Sequence, residues 1–64
     1  MKTLTLISYD YPNIIRLRVG SAIYRYESSE FWCRKFMKCY SKGARFNALN
    51  WFKRVSESKL EGET

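Results

Sequence analysis

The sequence predicts an α+β domain in which a three-stranded antiparallel β-meander packs against two helices. Three observations support this fold class. Early segments alternate apolar and polar residues with the period of a strand, a central segment repeats apolar residues at helical spacing, and a two-residue Gly-Ser connection joins two of the alternating segments. The chain has 64 residues, of which 45% are apolar and 17% aromatic. That composition predicts one small folded domain with a dense core.

The strands are predicted near residues 3–9, 14–19 and 22–27. Thr3 and Thr5 alternate with Leu4 and Leu6 in the first, and a turn over 10–13 follows it. The second and third flank Gly20-Ser21, and glycine at the first position of a two-residue connection favours a type II′ hairpin. This turn sets a register whose predicted pairs are Val19 with Ala22, Leu17 with Tyr24, Ile15 with Tyr26, and Arg16 with Arg25.

A helix is predicted near residues 29–41. Ser29 is suited to cap it and Glu30 to face the positive end of its dipole. Trp32, Cys33, Phe36, Met37 and Tyr40 form the apolar stripe, whereas Arg34, Lys35 and Lys38 occupy the remaining arc. Gly43 is predicted to end the helix in the left-handed region.

A second helix is predicted near residues 47–57, with Asn47 as its N-cap. Trp51 lies beside its apolar stripe and is either a residue at the edge of the core or an exposed aromatic used for stacking or for an interface. Residues 56–64 are polar and acidic and are predicted to fray, which leaves residues 1–55 as the single domain.

The net charge is +6, from 12 Lys and Arg against 6 Asp and Glu. The predicted tail contains three of the acidic residues and Lys59, so residues 1–55 have 11 basic and three acidic groups. Such an excess favours phosphate-bearing partners or anionic membranes, although solubility alone could also account for it.

Two segments are candidate anion-binding elements. The predicted register places Arg16, Arg18 and Arg25 together on the polar face of the sheet. Like charges opposite each other destabilise strand pairing, so a cluster of this kind suggests that the arginines bind phosphate. The alternative is that these arginines extend into water and pair with Glu27 or the acidic tail. The second segment is the loop between the helices, where Ser41, Lys42, Arg45 and Asn47 surround a predicted helix start. A plain connection between helices explains the same loop without a ligand.

The chain resembles the KTSC domain family, which is named for the C-terminal appendage of some lysyl-tRNA synthetases. The resemblance covers about residues 7–52 and rests on these motifs: Tyr9-Asp10, Leu17-x-Val19, Tyr24-x-Tyr26 and Ser41-Lys42-Gly43-x-x-Phe46-Asn47. It implies a compact domain of a sheet and helices with a stand-alone accessory role, because members also occur as small bacterial and phage proteins. The family has no firmly established chemistry, so the resemblance implies a fold but no particular activity.

Catalysis is not expected, because the chain has no histidine and residues 1–55 contain only three carboxylates for acid–base chemistry. The two cysteines are expected to be reduced, and neither a metal nor a cofactor is predicted. No apolar stretch is long enough for a membrane span or a signal peptide, so a cytoplasmic protein is expected.

The sequence therefore predicts a small binding protein that captures a phosphate-bearing ligand, either a nucleotide or a nucleic acid. The resemblance and the small size add a phage counter-defence role, in which the protein sequesters a nucleotide in a pocket between the protomers of a homo-oligomer. The alternative is an inhibitor that docks on an acidic protein surface, with Tyr11 and Trp51 as its anchors.

Overall fold

A computed structural model describes residues 3–63 of the chain. Four strands form one antiparallel sheet in the order β1-β2-β3-β4, and two helices lie between β3 and β4 in the sequence. The elements are β1 Leu4–Asp10, β2 Ile14–Val19, β3 Ala22–Glu27, α1 Glu30–Ser41, α2 Arg45–Phe52 and β4 Glu57–Glu63. The α+β class is confirmed, but the sheet has four strands where the sequence predicted three.

The β2–β3 hairpin has the predicted register. Val19 pairs with Ala22, Leu17 with Tyr24 and Ile15 with Tyr26, and Gly20 at the turn has a φ of 62°, which glycine adopts at little cost. Ile15 and Leu17 are fully buried beneath the helices. Because side chains alternate across a strand, Arg16 and Arg18 lie on the opposite face of the sheet.

Helix α1 follows the prediction closely. The Ser29 hydroxyl accepts a hydrogen bond from the backbone N–H of Trp32 at 3.4 Å, which partly satisfies the free donors of the first turn. Cys33 and Phe36 are completely buried against the sheet. Gly43 ends the helical segment with a φ of 93°, in the left-handed region.

Helix α2 begins and ends earlier than predicted. The sequence placed it near 47–57 with Asn47 as the N-cap, but it spans Arg45–Phe52 with Ala44 at the N-cap position and no side-chain cap. The reason is the tight turn after α1, where the Ala44 N–H donates to the Cys39 carbonyl at 3.1 Å. This turn allows helical geometry to restart at once, and it directs Ala48, Leu49 and Phe52 into the core.

The predicted frayed tail is wrong for the residues that the structure describes. Glu57–Glu63 form β4, which pairs with β3 along its whole length, from Glu27 opposite Glu57 to Ala22 opposite Glu63. Backbone hydrogen bonds need no apolar side chains, so a polar and charged segment can serve as an edge strand. The acidic segment is therefore part of the domain.

The core is an aromatic cluster between the sheet and the helices. The rings of Phe36 and Phe52 stack with centroids 4.7 Å apart, and Tyr26 lies 5.7 Å from Phe52. Trp51 is half-buried and lies 5.7 Å from Trp32. Of the two interpretations of Trp51, the position at the edge of the core is the one observed.

Tyr40 closes the outer edge of β1. Its hydroxyl accepts a hydrogen bond from the Leu6 backbone N–H at 3.0 Å, a donor that an edge strand would otherwise expose. We expect Tyr40→Phe to lower the free energy of unfolding by about 0.5–1.5 kcal/mol, because one partly buried N–H loses its partner. Urea denaturation measures this change, and an unaltered midpoint would show that water replaces the hydroxyl.

Candidate anion-binding surfaces

Basic residues form a row across the uncovered face of the sheet. Arg16 pairs with Arg25 across β2 and β3, as predicted, and Arg25 pairs with Lys59 across β3 and β4. Arg18 is exposed and lies two residues along β2 from Arg16. Sequence reasoning missed Lys59, because β4 was not predicted.

Acidic residues are interleaved with this row. Glu61 Oε1 lies 2.8 Å from Arg16 Nε, and Glu27 Oε1 lies 3.7 Å from Arg25 Nη1. Glu57 is the cross-strand neighbour of Glu27. The pairing of these arginines with Glu27 and the acidic segment, which was the alternative to phosphate binding, is thus observed for Arg16 and Arg25.

The excess positive charge belongs to the helical segment. The four strands contain four basic residues against five acidic ones, whereas residues 28–55 contain seven basic residues and only Glu30 as an acidic one. The sheet is therefore slightly acidic as a whole, and the strongest attraction for anions is expected on the helical side.

The outward face of α1 concentrates this charge. We define the α1 basic face as Arg34, Lys35, Lys38 and Lys42, which line one continuous groove together with Phe31, Cys39 and Glu30. Arg34, Lys35, Lys38 and Lys42 are all exposed. Glu30 contacts only one of them, with its Oε2 3.2 Å from Arg34 Nη1. The three lysines have no ion pair among the residues that the structure describes.

Of the four anion-binding residues predicted in the loop between the helices, only one belongs to the α1 basic face. Lys42 joins the α1 basic face, and the Arg45 guanidinium lies over the Tyr40 ring at 4.5 Å. The Ser41 hydroxyl donates to the Lys38 carbonyl at 2.9 Å, as an ordinary helix-end contact. Asn47 is exposed within the first turn of α2 and borders a separate shallow groove beside Thr3 and Leu4.

The two halves of the predicted site are not brought together. Arg16, Arg18 and Arg25 lie on the uncovered face of the sheet, whereas Ser41, Lys42, Arg45 and Asn47 lie on the helical side. Since the sheet separates the two groups, one small ligand cannot contact both in a single protomer. Tyr11, the other predicted anchor, is 66% exposed.

The buried cysteine of α1, Cys33, has a thiol that is poorly placed to act as a nucleophile. Cys33 is buried, and this desolvation raises the pKa of its thiol above the ordinary value, so little reactive thiolate forms near neutral pH. Across residues 3–63 there is no group of three or more His, Cys, Asp and Glu side chains that could hold a metal ion. In the same part of the chain, neither helix has the length and apolar character needed to cross a bilayer.

Comparison with known proteins returned no matching family model, no similar curated protein and no similar solved structure.

Proposed function

We propose that this protein is a non-catalytic binding protein that captures a phosphate-bearing anionic ligand, a nucleotide or a nucleic acid, on the α1 basic face. The observation that carries the proposal is the row of exposed cations along one helix, with a single carboxylate at its beginning. Phosphate oxygens neutralise such cations and release condensed counterions, which favours binding at moderate salt.

The α1 basic face supports the proposal better than the sheet does. On the sheet, a phosphate would compete with Glu61 for Arg16 and with Glu27 for Arg25. On α1, Lys35, Lys38 and Lys42 have no carboxylate partner among the described residues, so a phosphate meets no internal competitor there. The sheet arginines remain the second candidate site.

The proposal has further parts that rest on the resemblance rather than on the geometry. They are membership of the KTSC family and a phage counter-defence role by nucleotide sequestration. A cytoplasmic location and a homo-oligomeric state are also proposed, the first from the sequence, which has no apolar stretch long enough for a span or a signal peptide, and the second from the small size of the chain. Docking on an acidic partner protein is the alternative function, and the exposed ring of Tyr11 supports it as an anchor.

Two matched triple variants test which face binds. K35Q/K38Q/K42Q and R16Q/R18Q/R25Q each remove three positive charges, from opposite sides of the sheet. We expect the lysine variant to weaken binding of a fluorescein-labelled 20-nucleotide single strand by about tenfold to 100-fold near 0.1 M salt. We also expect it to reduce the slope of log affinity against log salt by about two. Fluorescence anisotropy measures both quantities.

The arginine variant is the control for general charge, and it should change affinity much less than the lysine variant. If it weakens binding as much as the lysine variant, then the α1 basic face is not the site and net charge alone explains binding. If the unmodified protein binds neither the oligonucleotide nor a labelled mononucleotide, the proposed function is wrong. Circular dichroism confirms that both variants are folded.

A further inference from the structure

Phe31 is an exposed aromatic residue at the beginning of the α1 basic face. It is 64% exposed, whereas Phe36 in α1 and Phe52 at the end of α2 are fully buried. The ring meets Trp32 edge-on, with centroids 5.0 Å apart, and Trp32 in turn packs on Trp51. Trp32 thus contacts one side of Phe31, and most of the Phe31 side chain remains accessible to a ligand.

The cations follow this ring along the helix. The Lys35 ammonium lies 6.0 Å from the Phe31 centroid, and the groove that begins at Phe31 continues past Lys38 to Lys42. A rise of 1.5 Å per residue places Lys35, Lys38 and Lys42 about 6, 10 and 16 Å beyond Phe31 along the axis. An aromatic platform followed by a line of cations is the combination that proteins use to bind single-stranded nucleic acids.

We infer that the ligand of the α1 basic face is a single-stranded nucleic acid, with one base stacked on Phe31 and its phosphates in contact with Lys35, Lys38 and Lys42. This inference rests on the proposed function and names the ligand of that site. A mononucleotide has its phosphates at one end, so it would leave part of this row of lysines, which extends about 16 Å along the axis from Phe31, without a phosphate. In a duplex the faces of the bases are stacked inside, so Phe31 would have nothing to stack on.

The composition of α1 argues against an anionic membrane as the ligand. A helix that lies in a membrane interface needs a broad apolar face toward the lipid. The apolar residues Cys33 and Phe36 of α1 are already buried in the core, and Phe31 is the one exposed large apolar residue of this helix. A single ring beside several lysines fits one base better than it fits a lipid surface.

Phe31→Leu tests the inference, because leucine keeps an apolar side chain but removes the π face. The probes are a fluorescein-labelled 12-nucleotide oligothymidine and an abasic strand of equal length, compared by fluorescence anisotropy. We expect Phe31→Leu to weaken binding of the oligothymidine about tenfold, as the loss of one stacked base predicts. Binding of the abasic strand, which retains every phosphate, should not change.

Phe46→Leu is the matched control, because Phe46 is 44% exposed on α2, away from the groove. It should leave both affinities unchanged. If Phe31→Leu binds the oligothymidine as tightly as the unmodified protein does, the stacking inference is overturned, while loss of binding in K35Q/K38Q/K42Q still supports the proposed function. If neither strand binds the unmodified protein, the single-strand inference fails, and the proposed function fails with it only if a labelled mononucleotide does not bind either. Loss of binding to phosphatidylserine vesicles in Phe31→Leu, with oligothymidine binding intact, would instead identify a membrane surface.

Discussion

Phe52→Ala should lower the free energy of unfolding by about 3–5 kcal/mol, the loss typical of removing a buried aromatic ring. Phe52 is fully buried, and its ring contacts Phe36, Trp51 and Tyr26. A domain of this size has a total stability of only about 3–10 kcal/mol. We therefore expect the variant to be largely unfolded at 37 °C, as measured by far-ultraviolet circular dichroism and urea denaturation.

Phe46→Ala is the control for this experiment. It removes the same atoms from the same helix, but Phe46 is 44% exposed, so the change should stay near 0.5 kcal/mol. Phe52→Leu should lose less than Phe52→Ala, because it leaves a smaller cavity. Equal urea midpoints for Phe52→Ala and Phe46→Ala would contradict the position of Phe52 at the centre of the core.

A chain that ends at Ser56 should be less stable by about 2 kcal/mol and should self-associate. Removal of β4 exposes the edge of β3 along residues 22–27 and uncovers Tyr24, whose cross-strand neighbour is Leu60. An unpaired edge of this length is a template for pairing with another chain. Urea denaturation measures the stability, and light scattering coupled to size exclusion measures the association.

The variant E57Q/E61Q/E63Q separates the strand from its charge. It keeps the β4 backbone and removes only its carboxylates, and exposed ion pairs such as that of Glu61 contribute about 0–1 kcal/mol. We expect it to remain as stable as the unmodified protein within about 1 kcal/mol. If the truncated chain is equally stable and shows no association, residues 57–64 do not contribute a strand, and the expectation of a frayed tail returns.

The β2–β3 hairpin and α1 were predictable because local chemistry determines them. Gly20 supplies a backbone conformation that few other residues adopt, and the alternation of residues 14–19 then permits one register. In α1, a capping serine precedes an apolar stripe of helical period, and Gly43 follows it. Each signal lies within the element itself, so no distant contact was needed to read it.

The remaining elements depend on contacts between distant residues. The sequence of β4 has no alternating apolar pattern, and its pairing is determined by the unpaired edge of β3, some 35 residues earlier in the chain. The boundaries of α2 depend on the turn after α1, which ends at the hydrogen bond from Ala44 to Cys39, and on the contact of Phe52 with Phe36. Local propensity contains neither kind of information.

Some features of the candidate site could likewise be predicted from local sequence, and others depend on distant contacts. The amino-acid sequence by itself determined the excess of positive charge, the cluster of Arg16, Arg18 and Arg25 on one face, and the polar arc of α1. Only the tertiary structure decided that β4 brings Glu61 to Arg16, and that Phe31 lies outside the aromatic core, at the beginning of a row of lysines without an ion pair in residues 3–63. The physical reason is that composition and periodicity assign charge and hydrophobicity to faces, whereas the partner of each charge depends on which distant segments the fold brings into contact.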